Sequence, residues 1–71
     1  MSTQTFSVNG MNCQHCVDHV TEEVGALAGV SAVEVALVPG GTSTVTVTAA
    51  QPVAEAQMAT ALDEAGAYTL A

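Results

Sequence analysis

Two cysteines, Cys13 and Cys16, are the residues whose type and spacing point most directly to chemistry. Cys16 falls in the first turn of a helix that the sequence predicts from Gln14, and Cys13 falls in the loop before it. Residues three apart at the start of a helix can direct their side chains toward one point. Free N–H groups and the positive end of the helix dipole lower thiol pKa values there. The spacing therefore predicts two thiolates directed at one target.

Such a pair of thiolates is a donor set that a soft d10 cation such as Cu(I) prefers. Two sulfurs suffice for Cu(I), which accepts low coordination, whereas structural Zn(II) usually requires four ligands. In a reducing compartment, two cysteines are more often metal ligands or redox groups than a structural disulfide. We therefore predict that Cys13 and Cys16 bind one Cu(I) ion. Two unliganded thiols are the less favoured interpretation.

Three neighbouring side chains could assist the cysteine pair. Met11 could be a soft third ligand, but packing in the core under the loop is favoured. His15 is expected to be exposed, either as a spectator or as a residue that tunes thiolate basicity or ligates weakly. His19 could complete a zinc site with both cysteines, although a surface histidine is the favoured interpretation.

The charge of the chain limits the classes of partner that it can bind. Its 71 residues include seven acidic side chains and no Lys or Arg, giving a net charge of −7. Nucleic-acid binding is nearly excluded because phosphates are neutralised by basic residues, and anionic membrane surfaces are disfavoured for the same reason. Asp18, Glu22 and Glu23 form an acidic side on the first helix, either a solvated face or, slightly favoured, a docking surface for a basic partner.

No targeting or membrane-spanning segment is evident. The start of the chain, Met1 to Phe6, is polar and lacks the basic and apolar regions of a secretion signal. No apolar stretch approaches the roughly 20 residues that a membrane-spanning helix needs. We therefore expect a cytoplasmic protein without direct membrane insertion.

The apolar periodicity predicts six elements in one domain, residues 1–71. Alternation predicts strands, and recurrence at helical spacing predicts helices. The predicted elements are strands at Thr3–Val8, Ala32–Val38, Thr44–Ala49 and Tyr68–Ala71, a helix at Gln14–Leu27 stopped by Gly29, and a second helix with Pro52 in its first turn and Gly66 at its end. A Pro-Gly-Gly-Thr turn at 39–42 predicts an antiparallel hairpin. The order βαββαβ indicates a ferredoxin-like α+β fold, a four-stranded antiparallel sheet with two helices on one face.

The motif and this fold together resemble the heavy-metal-associated domain family. The resemblance is carried by Gly10-Met11-x-Cys13-x-x-Cys16 after the first strand and covers essentially the whole chain. Cys13-Gln14-His15-Cys16-Val17 and Gly29-Val30-Ser31-Ala32-Val33 are similar to bacterial cytoplasmic copper chaperones. The resemblance implies Cu(I) ligation by both cysteines, delivery to a copper-transporting P-type ATPase and exchange through shared-thiolate intermediates. A carrier of this kind is not an enzyme.

Two departures from the family pattern bear on the site. The family often has Ser, Thr or Asp where this chain has Asn12, and Asp supplies an oxygen ligand in zinc- and cadmium-handling relatives. A neutral amide is a poor substitute, so Asn12 favours copper. The family's Gly-Tyr after the second helix is here Gly66-Ala67-Tyr68, one residue longer. The family tyrosine packs beside the metal loop, and a tuning or auxiliary role for Tyr68 stays open.

Several alternatives use the same cysteine pair. One is a regulatory metal-binding module of a heavy-metal ATPase. Another is a thiol–disulfide redox protein, although Gln-His between the cysteines and the βαββαβ order are not the thioredoxin pattern. The cargo could also be Hg(II), Zn(II) or Cd(II). A two-coordinate ion at an exposed loop stays open to a third sulfur, so a copper-bridged homodimer is a further expectation.

Overall fold

The computed structural model describes residues 1–71 and contains six elements in the predicted order. They are β1 (Ser2–Asn9), α1 (Gln14–Gly25), β2 (Val30–Ala36), β3 (Ser43–Ala49), α2 (Glu55–Ala65) and β4 (Thr69–Leu70). The four strands form one sheet in the order β2-β3-β1-β4, and every neighbouring pair is antiparallel. This arrangement confirms the predicted ferredoxin-like fold. Neither helix is long and apolar enough to cross a membrane.

The central strands show why the sequence forms this sheet. In β3, Val45 and Val47 are fully buried, whereas the threonines between and beside them are only partly buried. This alternation follows the two-residue period of a strand, and β-branched side chains suit its pleated surface. Strand β1 pairs with β3 along its length, from Ser2 opposite Ala49 to Val8 opposite Ser43. The end of β1 that leads to the cysteine loop therefore lies beside the start of β3.

The core lies between the sheet and the two helices. It is built from small aliphatic side chains and two methionines, because the single Phe and the single Tyr are only partly buried. The buried apolar residues are Val8, Met11, Val20, Val24, Val45, Val47, Ala49, Val53, Met58, Ala61 and Leu62. Fully burying a side chain the size of Val, Leu or Met contributes about 1.5–3 kcal/mol. This core holds both helices against the sheet and thereby fixes the position of the loop before α1.

The predicted bounds of α1 and α2 were wrong at one end each. Helix α1 ends at Gly25, and Gly29 lies beyond it at φ 84°, where its carbonyl accepts a hydrogen bond from the Ala50 N–H at 2.9 Å. Helix α2 begins at Glu55, so Pro52 lies outside it. The Gln4 side chain bonds both the N–H and the carbonyl of Val53, at 2.6 and 3.1 Å. These bonds fix the backbone at Val53, and α2 begins two residues after it.

The bounds of β2 and β4 also differ from the predicted bounds. Strand β2 occupies Val30–Ala36 rather than Ala32–Val38, with an irregularity in register between Val30 and Ala32. Val38 belongs to the turn instead, because its N–H donates to the Ser43 hydroxyl at 2.9 Å and its carbonyl accepts from the Gly41 N–H at 3.0 Å. Strand β4 is only two residues long and begins after Tyr68.

Candidate metal centre

The loop that carries the cysteines is anchored by Gly10 and Met11. Gly10 adopts φ 101°, a conformation that glycine tolerates best, and an added Cβ would lie 3.3 Å from the Ala67 carbonyl oxygen. The Met11 side chain has no exposed surface and packs in the core. The structure therefore places Met11 under the loop, as the core-packing interpretation expects, with its sulfur inaccessible to a solvent-borne ion.

The two cysteines meet where this loop enters α1. Cys13 is the exposed N-cap residue, and its carbonyl accepts hydrogen bonds from the N–H groups of Cys16 and Val17 at 3.1 and 3.3 Å. Cys16 is partly buried in the first turn and packs against the core. Their Sγ atoms lie 3.5 Å apart, and both thiols are free. The two sulfurs are thus adjacent, with one held by the helix and one by the loop.

The surroundings of Cys16 favour its thiolate. Hydrogen bonding lowers the pKa of Cys16 from 9.0 to about 6, so this thiol is mostly ionised at neutral pH. The largest cause is the Asn12 backbone N–H, followed by the Tyr68 hydroxyl and then the N–H and thiol of Cys13, while burial acts in the opposite direction. The backbone donors are therefore Asn12 and Cys13, which precede α1, rather than the N–H groups of its first turn that the sequence predicts.

Tyr68 reaches the cysteine pair despite the additional Ala67. Its hydrogen bond to Cys16 is the largest cause that raises the pKa of Tyr68 to about 12, with burial and the negative charges of the two cysteines adding to it. The tyrosine ring occupies space left by glycine, because a Cβ on Gly66 would lie 2.8 Å from the ring Cε2. The structure therefore places Tyr68 beside Cys16, a position that the sequence left open.

The two histidines do not join the cysteines. His15 and His19 are both exposed on α1. No group of three or more His, Cys, Asp or Glu side chains is positioned to hold one metal ion. The zinc site of Cys13, Cys16 and His19 is therefore not formed. His19 instead lines an open groove whose other members are mainly acidic: Glu22, Glu23, Glu64 and Ala65.

Asn12 has a structural partner that sequence reasoning missed. Its side-chain oxygen accepts a hydrogen bond from the Gly40 N–H at 3.3 Å, and its amide nitrogen donates to the Gly10 carbonyl at 3.5 Å. A second bond, from the Thr42 hydroxyl to the Asn9 side-chain oxygen at 3.0 Å, joins the same two segments. Gly40 is 28 residues from Asn12, so no local pattern could have revealed the contact.

This geometry can bind a soft ion and leave it accessible. Cys16 supplies a stabilised thiolate, and the adjacent Cys13 is exposed at the surface of the loop. An ion held by two sulfurs at such a loop can be approached by a third sulfur from solvent. The same adjacency would also permit a disulfide, so geometry alone supports both carriage of an ion and redox chemistry.

Comparison with known proteins distinguishes between these chemistries at the level of the family. The model of the heavy-metal-associated domain matches residues 5–67. The chain belongs to the heavy-metal-associated domain family. A solved structure of a CopZ metallochaperone superposes with a TM-score of 0.82 and 30% identity, covering 99% of this chain and 100% of that one. Both the predicted family and the predicted fold are thereby confirmed.

Two bacterial relatives of this chain are copper chaperones named CopZ. The protein from Bacillus subtilis strain 168 is 55% identical over 40 residues, which cover 56% of this chain and 58% of the relative. The protein from Enterococcus hirae is 53% identical over 34 residues, which cover 48% of this chain and 49% of the relative. The matched segments thus span about half the length of each of these relatives.

Proposed function

We propose that this chain is a cytoplasmic copper carrier that binds one Cu(I) ion between Cys13 and Cys16 and passes it to a copper-transporting P-type ATPase. The observation that carries the proposal is the pair of Sγ atoms 3.5 Å apart, with the thiolate of Cys16 stabilised and Cys13 exposed. The copper chaperones among its relatives support copper as the cargo. In this proposal, residues 1–71 act as a single domain and as a carrier rather than an enzyme.

The donor set favours Cu(I) over Zn(II). Two thiolates satisfy a d10 ion that accepts low coordination, whereas Zn(II) usually requires four protein ligands or three and a water. No third His, Cys, Asp or Glu side chain is positioned to complete a site. The side-chain amide oxygen of Asn12, the residue before Cys13, accepts a hydrogen bond from the Gly40 N–H. Zn(II) therefore lacks the additional protein ligands that it usually needs.

Transfer follows from the exposure of Cys13. A sulfur from a partner can approach the ion at the loop and bind it while both cysteines still hold it. One protein–copper bond then breaks, and the ion passes across through a shared-thiolate intermediate. A second copy of this chain could supply the third sulfur in the same way, which would produce a copper-bridged homodimer.

The experiment is an anaerobic titration with Cu(I) and with Zn(II) against competing chelators. Cys13→Ser and Cys16→Ser should each abolish tight Cu(I) binding while circular dichroism shows an unchanged fold. Gln14→Ala, which changes an exposed residue between the cysteines, should bind like the unmodified protein. Comparable Cu(I) affinity with one cysteine removed would show that the ligand assignment is wrong.

The same titration tests the role of His15. Because its side chain is exposed, His15→Ala should change Cu(I) affinity only modestly. Complete loss of binding in this variant would instead make His15 an essential ligand.

A redox function is the second candidate, because adjacent thiols and the low pKa of Cys16 also suit thiol–disulfide exchange. The carrier proposal expects little catalysis of insulin reduction by the metal-free protein. Turnover that Cu(I) blocks stoichiometrically would favour the redox function instead.

A further inference from the structure

The cysteine loop has a supporting contact with the turn between β2 and β3. The Asn12 side-chain oxygen accepts from the Gly40 N–H at 3.3 Å, an interaction called here the Asn12–Gly40 contact. Gly40 adopts φ 75°, and an added Cβ would meet nothing within 4 Å. Glycine is therefore required there for the backbone conformation that presents its N–H, and not for space.

The turn is a firm support for the loop because it is braced by its own hydrogen bonds. The Val38 N–H donates to the Ser43 hydroxyl at 2.9 Å, and Ser43 is fully buried. The Gly41 N–H donates to the Val38 carbonyl at 3.0 Å, and the Thr42 hydroxyl donates to Asn9 at 3.0 Å. A side chain that binds this turn is therefore attached to the sheet.

Of the two cysteines, Cys13 depends more on such support. Cys16 lies within α1 and packs against the core, whereas Cys13 is the N-cap residue, exposed, and its side chain does not cap the helix. Asn12 directly precedes Cys13. We infer that Asn12 is a positioning residue, which holds Cys13 within reach of Cys16 by binding Gly40; this inference rests on the proposed copper site.

Loading the site should strain or shift this contact. If the metal–sulfur bonds are close to the ~2.3 Å length of Zn–thiolate bonds, two sulfurs on opposite sides of one ion lie about 4.6 Å apart. In the metal-free structure they are 3.5 Å apart, so one cysteine must move outward by about 1 Å. Because Cys16 lies in α1 and packs against the core, we expect the exposed Cys13 to make most of this movement and Asn12 to transmit it to Gly40. The Gly40 amide is thereby a reporter of occupancy far from the cysteines in sequence.

The test compares Asn12→Ala with Gln14→Ala, which removes another exposed side-chain amide next to Cys13 without touching the turn. In the metal-free protein, hydrogen exchange at the Gly40 amide should accelerate only in Asn12→Ala, and Asn12→Asp, which keeps an acceptor, should restore the slower exchange. Release of Cu(I) to a competing chelator should accelerate in Asn12→Ala by about twofold to tenfold, the factor equivalent to one net hydrogen bond.

Several outcomes decide the inference. Addition of Cu(I) should move the Gly40 amide resonance in the unmodified protein and in Gln14→Ala, but not in Asn12→Ala. Equal release rates in the two alanine variants, with both folded, would overturn the positioning role. A Gly40 amide that exchanges equally fast in all variants would overturn the contact itself. Failure of the unmodified protein to bind Cu(I) would instead refute the proposed function, so the two failures are distinguishable.

Discussion

Replacing Tyr68 by Phe tests how the protein stabilises the thiolate of Cys16. The ring is retained, so its packing against Gly66 should persist, and only the hydroxyl is lost. In the unmodified protein this hydroxyl donates to Cys16, which lowers the pKa of Cys16 and raises that of Tyr68. The variant should therefore have a higher Cys16 pKa than about 6, although still below 9.0, because the N–H groups of Asn12 and Cys13 remain.

The size of the change can be estimated. The Asn12 N–H lowers the pKa more than the Tyr68 hydroxyl does, and the opposing effect of burial is the smallest of all. The hydroxyl is therefore one of several donors, and its loss should raise the pKa of Cys16 by about 1, the equivalent of about one net hydrogen bond to a charged group. At pH values below the pKa of Cys16, a rise of 1 in that pKa reduces the thiolate fraction about tenfold. A more basic thiolate reacts about threefold faster, which offsets part of this loss in rate. Alkylation at acidic pH should therefore slow by about threefold.

The assay is alkylation of metal-free protein as a function of pH, with modification of Cys16 resolved by mass spectrometry. Thr69→Val, which removes a hydroxyl from the next residue, is the matched control and should leave the profile unchanged. The reciprocal measurement is simple because the chain has one Tyr and no Trp, so phenolate absorbance reports Tyr68 alone. In Cys16→Ser, the pKa of Tyr68 should fall from about 12 toward 10.0. Unchanged profiles in both experiments would refute the hydrogen bond between Tyr68 and Cys16.

Four further outcomes follow from burial, proton linkage, charge and copper bridging. Met11→Ala should destabilise the fold by about 2–5 kcal/mol in urea unfolding, because the side chain is fully buried, and a loss within error would contradict its core position. Because the pKa of Cys16 is depressed, the folded metal-free protein binds fewer protons than the unfolded chain between pH 9.0 and about 6. The ionised thiol therefore stabilises the fold above this range, and its contribution to the melting temperature should disappear as pH falls through about 6. Cys16→Ser should lack this pH dependence. Added salt should raise the melting temperature by screening a net charge of −7, whereas a flat salt response would show that repulsion is unimportant. Sedimentation should show a monomer without metal and larger species at low Cu(I) loading, and identical masses would exclude copper bridging.

The fold was predictable because its local patterns agree with one another. The alternation of Val and Thr in β3 and the helical spacing of Val20 and Val24 are preserved in the structure. Element ends were less predictable because long-range contacts set them. Gln4 binds the backbone of Val53, 49 residues away, so α2 starts later than Pro52 suggested. A proline suits the first turn of a helix, but nothing in its own segment reveals that contact.

In the candidate site, too, the features set by local sequence were predictable and those set by long-range contacts were not. The positions of Cys13 and Cys16 follow from the motif and from the start of α1, which are both local. The placement of Tyr68 depends on space beside Gly66 and Gly10, at the far end of the chain and at the end of β1. The contact of Asn12 with the β2–β3 turn depends on the tertiary fold. Sequence spacing therefore predicted that the two cysteines are adjacent, but not the contacts of Tyr68 and Asn12.

Because the chain has no Lys or Arg, neutral groups stabilise the thiolate at this site. A thiolate is often stabilised by a neighbouring cation, but the basic groups of this chain are its amino terminus and two histidines, and no cationic group contributes to the low pKa of Cys16. Neutral donors stabilise the thiolate instead, namely two backbone N–H groups and one hydroxyl, with the neighbouring thiol. In the metal-free protein these donors lower the pKa of Cys16 to about 6, which favours its thiolate near neutral pH. In the proposed carrier, release of copper from Cys16 therefore needs little proton uptake there, and transfer depends on access of an incoming sulfur at the exposed Cys13.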